Sequence, residues 1–205
     1  MRRQDWAFLV AAMALVSLAV ALVAGFPSVS AGLLIVLCVA GIAARRWSHD
    51  RPGPMSYALR WVLRLPRGAH SPHRLLALLQ PRPGERMLEV GPGVGVHAIP
   101  VARAVAPQGA LDTIDIQPAM VATLRSRARA ASVGNVFAIC GDATTLPYGD
   151  ATFDAAVLIT VLGEIPQPDA ALRELKRVLK PDGRLVIGET LVDPDFVSLR
   201  VLRSR

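Results

Sequence analysis

The feature that most constrains the fold is a glycine-rich stretch near the middle of the chain. Its residues read MLEVGPGVGVH over 87–97, so an apolar run passes into glycines at three alternate positions, Gly91, Gly93 and Gly95. Glycine adopts backbone angles closed to other residues, and its missing side chain lets a ligand approach the main chain. A helix-compatible segment follows, whose first N–H groups suit a polar or anionic ligand. The pattern predicts strand, tight turn and helix, with a nucleotide-like cofactor at the C-terminal edge of a parallel sheet.

Strand and helix patterns alternate on both sides of this turn. Apolar stretches predict strands at 86–90, 110–115, 136–140, 153–159 and 184–189. Predicted helices lie at 72–79, 94–105, 118–131 and 168–179. The first of these helices has a good cap in Ser71 and Pro72. Five apolar strands alternating with helices predict an α/β fold in which helices cover both faces of a mostly parallel sheet.

The first 46 residues contain two long apolar runs. Trp6–Phe26 has 21 residues and Ser28–Ala44 has 17, and neither contains a charge. These lengths suit two transmembrane helices, and arginines on both outer sides predict a hairpin with both ends in the cytoplasm. A cleaved signal peptide and a single buried or re-entrant segment are the alternatives. The sequence thus predicts membrane localisation, a hairpin over 1–46, a linker over 47–71 and a cytoplasmic domain over 72–205.

The charge distribution narrows the choice of partners. The formal net charge of +7 is carried mostly by arginines that are scattered along the chain, with no stripe of alternating aromatic and basic residues. We therefore expect no nucleic-acid partner, and we attribute the juxtamembrane arginines to anionic lipid headgroups. The two cysteines, Cys38 and Cys140, belong to no His/Cys cluster, so the sequence predicts neither a metal site nor a disulfide framework.

A short amphipathic segment stands out in the linker. Met55–Leu65 (MSYALRWVLRL) places Tyr57 and Trp61 among two arginines. Three interpretations remain open from the pattern: a helix on the membrane surface, a lid over the active site, or an ordinary packing helix.

Three acids stand at the ends of predicted strands. Glu89 lies two residues before the first glycine, Asp115 ends the second strand, and Asp142 follows the third. The carboxyl ends of parallel strands meet the ligand crevice, and an acid at the spacing of Asp115 accepts hydrogen bonds from ribose hydroxyls. Asp142 could accept a hydrogen bond from the exocyclic amine of a purine. The structural alternatives are a turn carboxylate for Glu89, a helix cap for Asp115 and an Asx-turn for Asp142.

Three further side chains are weaker candidates for catalysis or substrate contact. His97 follows the glycines, and Tyr148 and Glu164 follow the third and fourth strands. A lone histidine such as His97 is more often a surface or packing residue, and Tyr148 and Glu164 serve equally well as ordinary loop residues. Read from Gly93, the turn also matches the G-x-G-x-x-A pattern of dehydrogenases. A nicotinamide cofactor is therefore an alternative ligand for the turn at this point.

Four segments in order resemble the class I S-adenosylmethionine-dependent methyltransferases, in particular the small-molecule group that includes the quinone-biosynthesis C-methyltransferases. LEVGPGVG at 88–95 resembles their E/D-x-G-x-G-x-G signature, and IDIQPAM at 114–120 resembles their second acid and the helix start after it. GDATTLPY at 141–148, with Phe153-Asp154 after it, resembles the third-strand loop and fourth strand. LKRVLKPDGRL at 175–185 resembles the segment before strand five.

This resemblance implies a Rossmann-like fold, S-adenosylmethionine as cofactor, and a role for each matching position. The glycines and Glu89 would lie at the methionine end of the cofactor, Asp115 at the ribose and Asp142 at the adenine amine, with Thr160 near the methyl donor. The implied cofactor-binding residues are Glu89, Gly91, Gly93, Gly95, Asp115, Ile116, Asp142, Ala143 and Thr160. The family usually has two further strands after the fifth, which we expect this chain to lack.

Together these features predict a membrane-anchored methyltransferase that transfers a methyl group to a small, lipophilic acceptor. The anchor suggests a quinone precursor, a phospholipid or another lipid reached from the cytoplasmic face. Two alternatives from other classes are an NAD(P)-dependent oxidoreductase and a catalytically inactive, membrane-tethered protein that binds the cofactor.

Overall fold

A parallel sheet forms the centre of the part of the chain that the structure describes. The computed structural model describes residues 52–64, 68–190 and 196–197, with helical residues at 17–18, 34–37, 39, 41–42 and 46. Its five strands lie in the order β3-β2-β1-β4-β5 and all neighbouring pairs are parallel. The strands are β1 (Arg86–Val90), β2 (Ala110–Asp115), β3 (Val136–Cys140), β4 (Phe153–Ile159) and β5 (Leu179–Gly188).

Helices cover both faces of this sheet. The α-helices of residues 68–190 are α1 (Pro72–Leu79), α2 (Ala98–Val105), α3 (Pro118–Ala130) and α4 (Pro168–Val178). Shorter 3-10 helices lie at Tyr57–Arg64, Gly68–His70 and Leu162–Glu164. The adjacent β1 residues Met87 and Leu88 belong to two different buried clusters, one packed by α1 to α3 and the other by α4. The apolar, non-alternating sequence of β1 follows from burial on both faces.

The strand order creates a crevice at one edge of the sheet. The chain adds β2 and β3 on one side of β1, then crosses over and adds β4 and β5 on the other. Connections therefore leave the carboxyl ends of β1 and β4 in opposite directions, which opens the space where ligands bind in sheets of this kind. The glycine turn follows β1 directly, so the topology brings it to this crevice.

Local sequence signals set the ends of several helices. The Ser71 hydroxyl accepts a hydrogen bond from the Arg74 N–H at 3.4 Å, and Pro72 occupies the first turn of α1. Proline also begins α3 and α4, where its missing N–H costs nothing. Gln80 ends α1 in the left-handed conformation, with φ of 48°. These positions agree with the helix starts that the sequence predicts.

The structure confirms the predicted α/β fold and the predicted bounds of β1 to β4, but it corrects two elements. Helix α2 begins at Ala98 rather than at 94, because positive φ angles at Gly93 and Gly95 are incompatible with a right-handed helix. Strand β5 begins at Leu179 rather than at 184. The KPDG segment joins β4 through an irregular register between the partners of Phe153 and Ala155.

The predicted membrane hairpin falls on residues 1–46, nearly all of which lie outside the described residues. Across the residues that are described, no helix combines the length and the apolar character needed to cross a bilayer. The few described helical residues of the second run expose large apolar side chains, namely Leu34, Ile35, Val36, Val39 and Ile42.

Replacing the fully buried Phe153 with alanine should strongly destabilise the chain. Its ring packs edge-on against Tyr148 at a centroid distance of 4.9 Å and lies under the Arg86 guanidinium at 5.4 Å. We expect Phe153→Ala to lower the free energy of unfolding by about 3–5 kcal/mol, because it removes buried area and leaves a cavity. Phe137 is 53% exposed on β3, so Phe137→Ala should cost less than about 1 kcal/mol. Urea unfolding measures both, and equal losses would contradict the assignment of the core.

Candidate cofactor site

The glycine turn is packed so tightly that side chains cannot replace its hydrogens. Gly91, Gly93 and Gly95 have φ angles of 64°, 54° and 77°, a region that favours glycine. A Cβ built on Gly91 would lie 2.5 Å from a methyl carbon of Val161, and one built on Gly95 would lie 2.2 Å from a methyl carbon of Leu124. The turn is therefore enclosed between the segment after β4 and helix α3.

Asp115 ties the turn to the end of β2. One carboxylate oxygen accepts a hydrogen bond from the Gly93 N–H at 3.2 Å, and the other accepts one from the Gln117 N–H at 2.9 Å. Burial raises the pKa of Asp115, and these two hydrogen bonds act in the opposite direction. Each oxygen keeps a lone pair for a further donor. The carboxylate can thus hold the turn and still accept a pair of hydroxyl groups.

Glu89 and Thr113 form a buried polar pair under the turn. They are Cα partners in the register of β1 and β2. One oxygen of the Glu89 carboxyl group and the Thr113 hydroxyl are both buried without a hydrogen-bond partner. Burial, followed by the charge of Asp115, raises the pKa of Glu89 to about 8. Unsatisfied buried oxygens are rare and costly, so this pair marks a place prepared for a donor group.

Residues 55–64 lie over the turn, and we call them the cover segment. The Met55 N–H donates to the Glu164 carboxylate at 3.3 Å, and the Gln117 amide donates to the Met55 carbonyl at 2.9 Å. A Cβ built on Gly93 would lie 2.8 Å from a methyl carbon of Leu63. The predicted helix of the linker is therefore present, as a 3-10 helix at Tyr57–Arg64, and it packs beside the turn through Leu63.

The third acid lies further out along the same edge. Asp142 is exposed after β3, and its carboxylate accepts a hydrogen bond from the Thr144 N–H at 2.8 Å. This is the Asx-turn that was the structural alternative for Asp142. Beside it, Ala143 is buried and Ile116 is 54% exposed. This exposed isoleucine, one residue after Asp115, offers an apolar surface for a flat ring.

Thr160 and Glu164 follow β4 at the carboxyl edge. Thr160 has a positive φ of 55°, and its N–H donates to the Gly188 carbonyl at 2.7 Å. Its hydroxyl donates to the Ile159 carbonyl at 2.7 Å. Glu164 accepts from Met55 in the cover segment. The structure therefore brings both residues to the edge that carries the turn. The Thr160 backbone also joins the end of β4 to the end of β5 through its hydrogen bond to Gly188.

Two of the weaker candidates do not line this crevice. Tyr148 packs against Phe153, the first residue of β4, and lies near Arg86, the first residue of β1. It therefore sits at the amino edge, opposite the turn. His97 is buried, and its Nε2–H donates to the His70 carbonyl at 2.8 Å. Tyr148 thus packs in the core at the amino edge, and His97 holds the His70 backbone.

The residues at the carboxyl edge fit S-adenosylmethionine. The turn offers a cradle in which Cβ atoms would clash with neighbouring side chains, and Glu89 carries an unpartnered buried oxygen. Acids at the ends of β1, β2 and β3 suit a ligand with a positive charge and several hydroxyl donors. Sequence patterns did not identify Leu63 and Val161, because each reaches the turn through tertiary packing rather than through a motif.

Comparisons with known proteins agree with this site. Residues 88–187 match the family described as "Methyltransferase domain". A C-methyltransferase of ubiquinone and menaquinone biosynthesis, UbiE from Vibrio campbellii, is 37% identical over 117 residues, which are 55% of this chain and 45% of that protein. An uncharacterised 37.1 kDa protein of transposon TN4556 from Streptomyces fradiae is 39% identical over 62% of this chain and 35% of its own length. The chain thus spans less than half the length of these relatives.

Solved structures share the fold. A SAM-dependent methyltransferase from Aquifex aeolicus superposes with a TM-score of 0.62 at 25% identity, over 67% of this chain and 74% of that one. The [4+2]-cyclase SpnF is 36% identical with a TM-score of 0.53, over 57% of this chain and 43% of that one. The strand order and the glycine turn agree with the match of residues 88–187 to the methyltransferase-domain family and with the similarity to a SAM-dependent methyltransferase.

The buried acid under the turn should make stability depend on pH. The pKa of Glu89 is about 8 in the folded chain, against 4.5 for a free carboxyl group. Between these values the folded state holds a proton that the unfolded state has lost. The free energy of unfolding therefore falls as the pH rises, by up to about 1.4 kcal/mol per pH unit from this group.

Glu89→Gln removes this titration and keeps the shape of the side chain. The variant should match wild type near pH 4.5 and be more stable than wild type near pH 8, measured by urea unfolding without cofactor. Parallel pH profiles for the two proteins would contradict a neutral, buried Glu89.

Proposed function

We propose that this chain is a membrane-associated methyltransferase that transfers the methyl group of S-adenosylmethionine to a small, lipophilic acceptor. The observation that carries the proposal is the Asp115 carboxylate, which is bound to the turn through Gly93 and lies close enough to Glu89 for its charge to raise the pKa of Glu89. A buried carboxylate at this strand end accepts the two ribose hydroxyls, and the turn leaves room for the rest of the cofactor against the main chain.

Each residue of the proposed cofactor site has a physical role. Gly91, Gly93 and Gly95 admit the methionine moiety, and Glu89 offers its unpartnered oxygen to the ammonium group at that end. Ile116 and Ala143 give an apolar surface for adenine beside Asp142. Thr160 stands at the end of β4, near the methyl donor. The complete proposed set is Glu89, Gly91, Gly93, Gly95, Asp115, Ile116, Asp142, Ala143 and Thr160.

The chain's contribution to the reaction is mainly positioning and exclusion of water. When bound, S-adenosylmethionine supplies a methyl group already activated by its sulfonium charge. Asp115 and the turn fix the cofactor, while Leu63 of the cover segment closes the side above Gly93. Holding donor and acceptor in line can account for a large part of a rate enhancement. A closed site that excludes water favours methyl transfer further.

A lipophilic acceptor follows from two lines of support. The similar UbiE proteins are named for ubiquinone and menaquinone biosynthesis, and the first 46 residues of this chain are strongly apolar. We propose that residues 1–46 form a transmembrane hairpin and that the catalytic domain lies on the cytoplasmic side. A quinone precursor or another lipid would then reach the crevice from the membrane.

The outer side of the cover segment suits this placement. Arg60, Trp61 and Arg64 are exposed, whereas Leu59 is buried. Exposed tryptophan between basic residues is typical of segments that contact the headgroup region of anionic membranes. The lid and membrane-surface interpretations of this segment are therefore compatible, because they concern its two opposite sides.

A second candidate reaction comes from one similar structure. The protein titled [4+2]-cyclase SpnF is 36% identical over 57% of this chain, so a similar domain is associated with a ring-forming activity. The two reactions differ in their products, because methyl transfer adds one carbon to the acceptor and cyclisation does not change its mass.

Replacing Asp115 with alanine should weaken cofactor binding. We expect the Kd for S-adenosylmethionine to rise about 10- to 100-fold, because two hydrogen bonds to a charged group are lost. Calorimetric titration of the full chain measures this, with NADH as a second ligand. Asp182 is exposed on the early part of β5, so Asp182→Ala is the matched control and should bind as wild type does. Unchanged affinity in Asp115→Ala, or tight binding of NADH instead, would rule out the proposed cofactor site.

The apolar runs should hold the chain in membranes. After alkaline carbonate washing of membranes from expressing cells, we expect wild type to stay in the pellet. Val16→Arg combined with Val36→Arg puts a charge near the middle of each run, at a cost of about 2.5–3.5 kcal/mol per residue for insertion. This double variant should move to the wash, as measured by immunoblotting. Release of the wild-type chain by carbonate would exclude the hairpin.

A further inference from the structure

A histidine that the sequence analysis did not name as a site residue lies at the carboxyl edge of the sheet. His70 is the last residue of the 3-10 helix Gly68–His70, and it is half-buried. A Cβ built on Gly188 would lie 3.2 Å from Cδ2 and 3.6 Å from Nε2 of the His70 ring. Gly188 ends β5, and its carbonyl accepts the Thr160 N–H. The imidazole ring therefore packs on the junction between the ends of β4 and β5.

The backbone of His70 is fixed from two sides. The buried His97, which precedes α2, donates its Nε2–H to the His70 carbonyl at 2.8 Å. The Ser71 N–H donates to the Gly68 carbonyl at 3.2 Å, and Ser71 caps helix α1. His97 also follows the glycine turn directly in the chain. One hydrogen bond thus couples the position of the His70 backbone to the turn that holds the cofactor in the proposed function.

We propose that the His70 imidazole is the general base that takes the proton lost by the methyl acceptor, and that His97 is its positioning residue. This inference rests on the proposed function. His70 reaches the β4–β5 edge, where the acceptor would meet the methyl donor near Thr160. The Nε2 atom of His97 is already bound to a carbonyl, and His73 is exposed on α1. Of the three histidines that the structure describes in residues 52–190, His70 thus has the placement that this role requires.

The proton transfer completes the balance of the reaction. As the acceptor's oxygen or activated carbon bonds to the methyl carbon, the bond from that carbon to sulfur breaks and its electron pair stays on sulfur. The acceptor loses one proton, which moves to a ring nitrogen of His70. The products are a neutral thioether, the methylated acceptor and an imidazolium ion, so charge and atoms are conserved.

The elements around the His70 ring carry further titratable groups. Glu164 follows β4 and Glu189 follows β5, so two acids belong to the same edge as the His70 ring. The other titratable side chains next to this region in the chain are His73 and Arg74 on α1 and His97 before α2.

The first test is one of placement and needs no turnover. In full-length protein loaded with S-adenosylmethionine carrying a ¹³C-labelled methyl group, we expect a nuclear Overhauser contact between that methyl group and the His70 ring. A base that holds the acceptor's proton sits within about 6 Å of the methyl carbon, the sum of one hydrogen bond and one attack distance. His73 is the internal control and should show no contact. Absence of the His70 contact in a loaded sample would overturn the proposal.

The second test is kinetic. Transfer of labelled methyl groups into a lipid extract should fall about 10²- to 10⁴-fold in His70→Gln, while the Kd for S-adenosylmethionine stays that of wild type. The fall in kcat/KM on the acidic side of the pH profile should also disappear, because this variant has no base to protonate. Wild-type turnover in His70→Gln would overturn the role of His70 and leave the proposed function intact.

The positioning role of His97 is tested by a pair of variants. His97→Gln keeps a side-chain N–H for the His70 carbonyl, whereas His97→Phe removes it. We expect His97→Phe to lower kcat at unchanged KM for S-adenosylmethionine, and His97→Gln to restore most of it. An equal loss of kcat in both variants would show that His97 contributes only through packing. If wild type binds the cofactor but methylates nothing, the proposed function and the roles of both histidines fail together.

Discussion

The junction between Asp115 and the glycine turn is the constraint on which the rest of the site depends. Positive φ angles at the three glycines turn the chain sharply out of β1, and the Asp115 carboxylate holds the turn through the Gly93 N–H. Because the turn has no side chains, Val161 and Leu124 can pack directly on its backbone. The missing glycine side chains thus leave room for close packing. The end of β2, helix α3 and the segment after β4 can therefore all contact residues 91–95.

Much of the fold could be predicted because its signals are local. Apolar runs gave β1 to β4, and Pro72, Pro118 and Pro168 mark the starts of α1, α3 and α4. The shared location of the acids at the carboxyl edge could also be predicted, because each acid lies at a strand end and parallel strands place those ends together. The start of α2 was missed because helix propensity over 94–97 is overridden by left-handed glycines.

Positions that depend on long-range packing could not be predicted. Tyr148 follows β3 in the chain, but its loop runs back across the sheet and the ring packs on Phe153 at the amino edge. His70 lies in a linker without a motif, and its place beside Gly188 results from contacts between elements far apart in sequence. Single-residue candidates outside a motif therefore need the three-dimensional arrangement before a role can be assigned to them.

The cover segment has a consequence for how ligands enter and leave. Its hydrogen bonds to the rest of the site include one from the Met55 N–H to Glu164, one from the Gln117 amide to the Met55 carbonyl, and one between the Tyr57 and Thr123 hydroxyls. Leu63 packs beside Gly93, and none of residues 55–64 belongs to a strand. Segments held in this way detach by local unfolding at a small fraction of the global stability. In the proposed function, exchange of spent cofactor for fresh cofactor would need only this local opening, while the sheet stays intact.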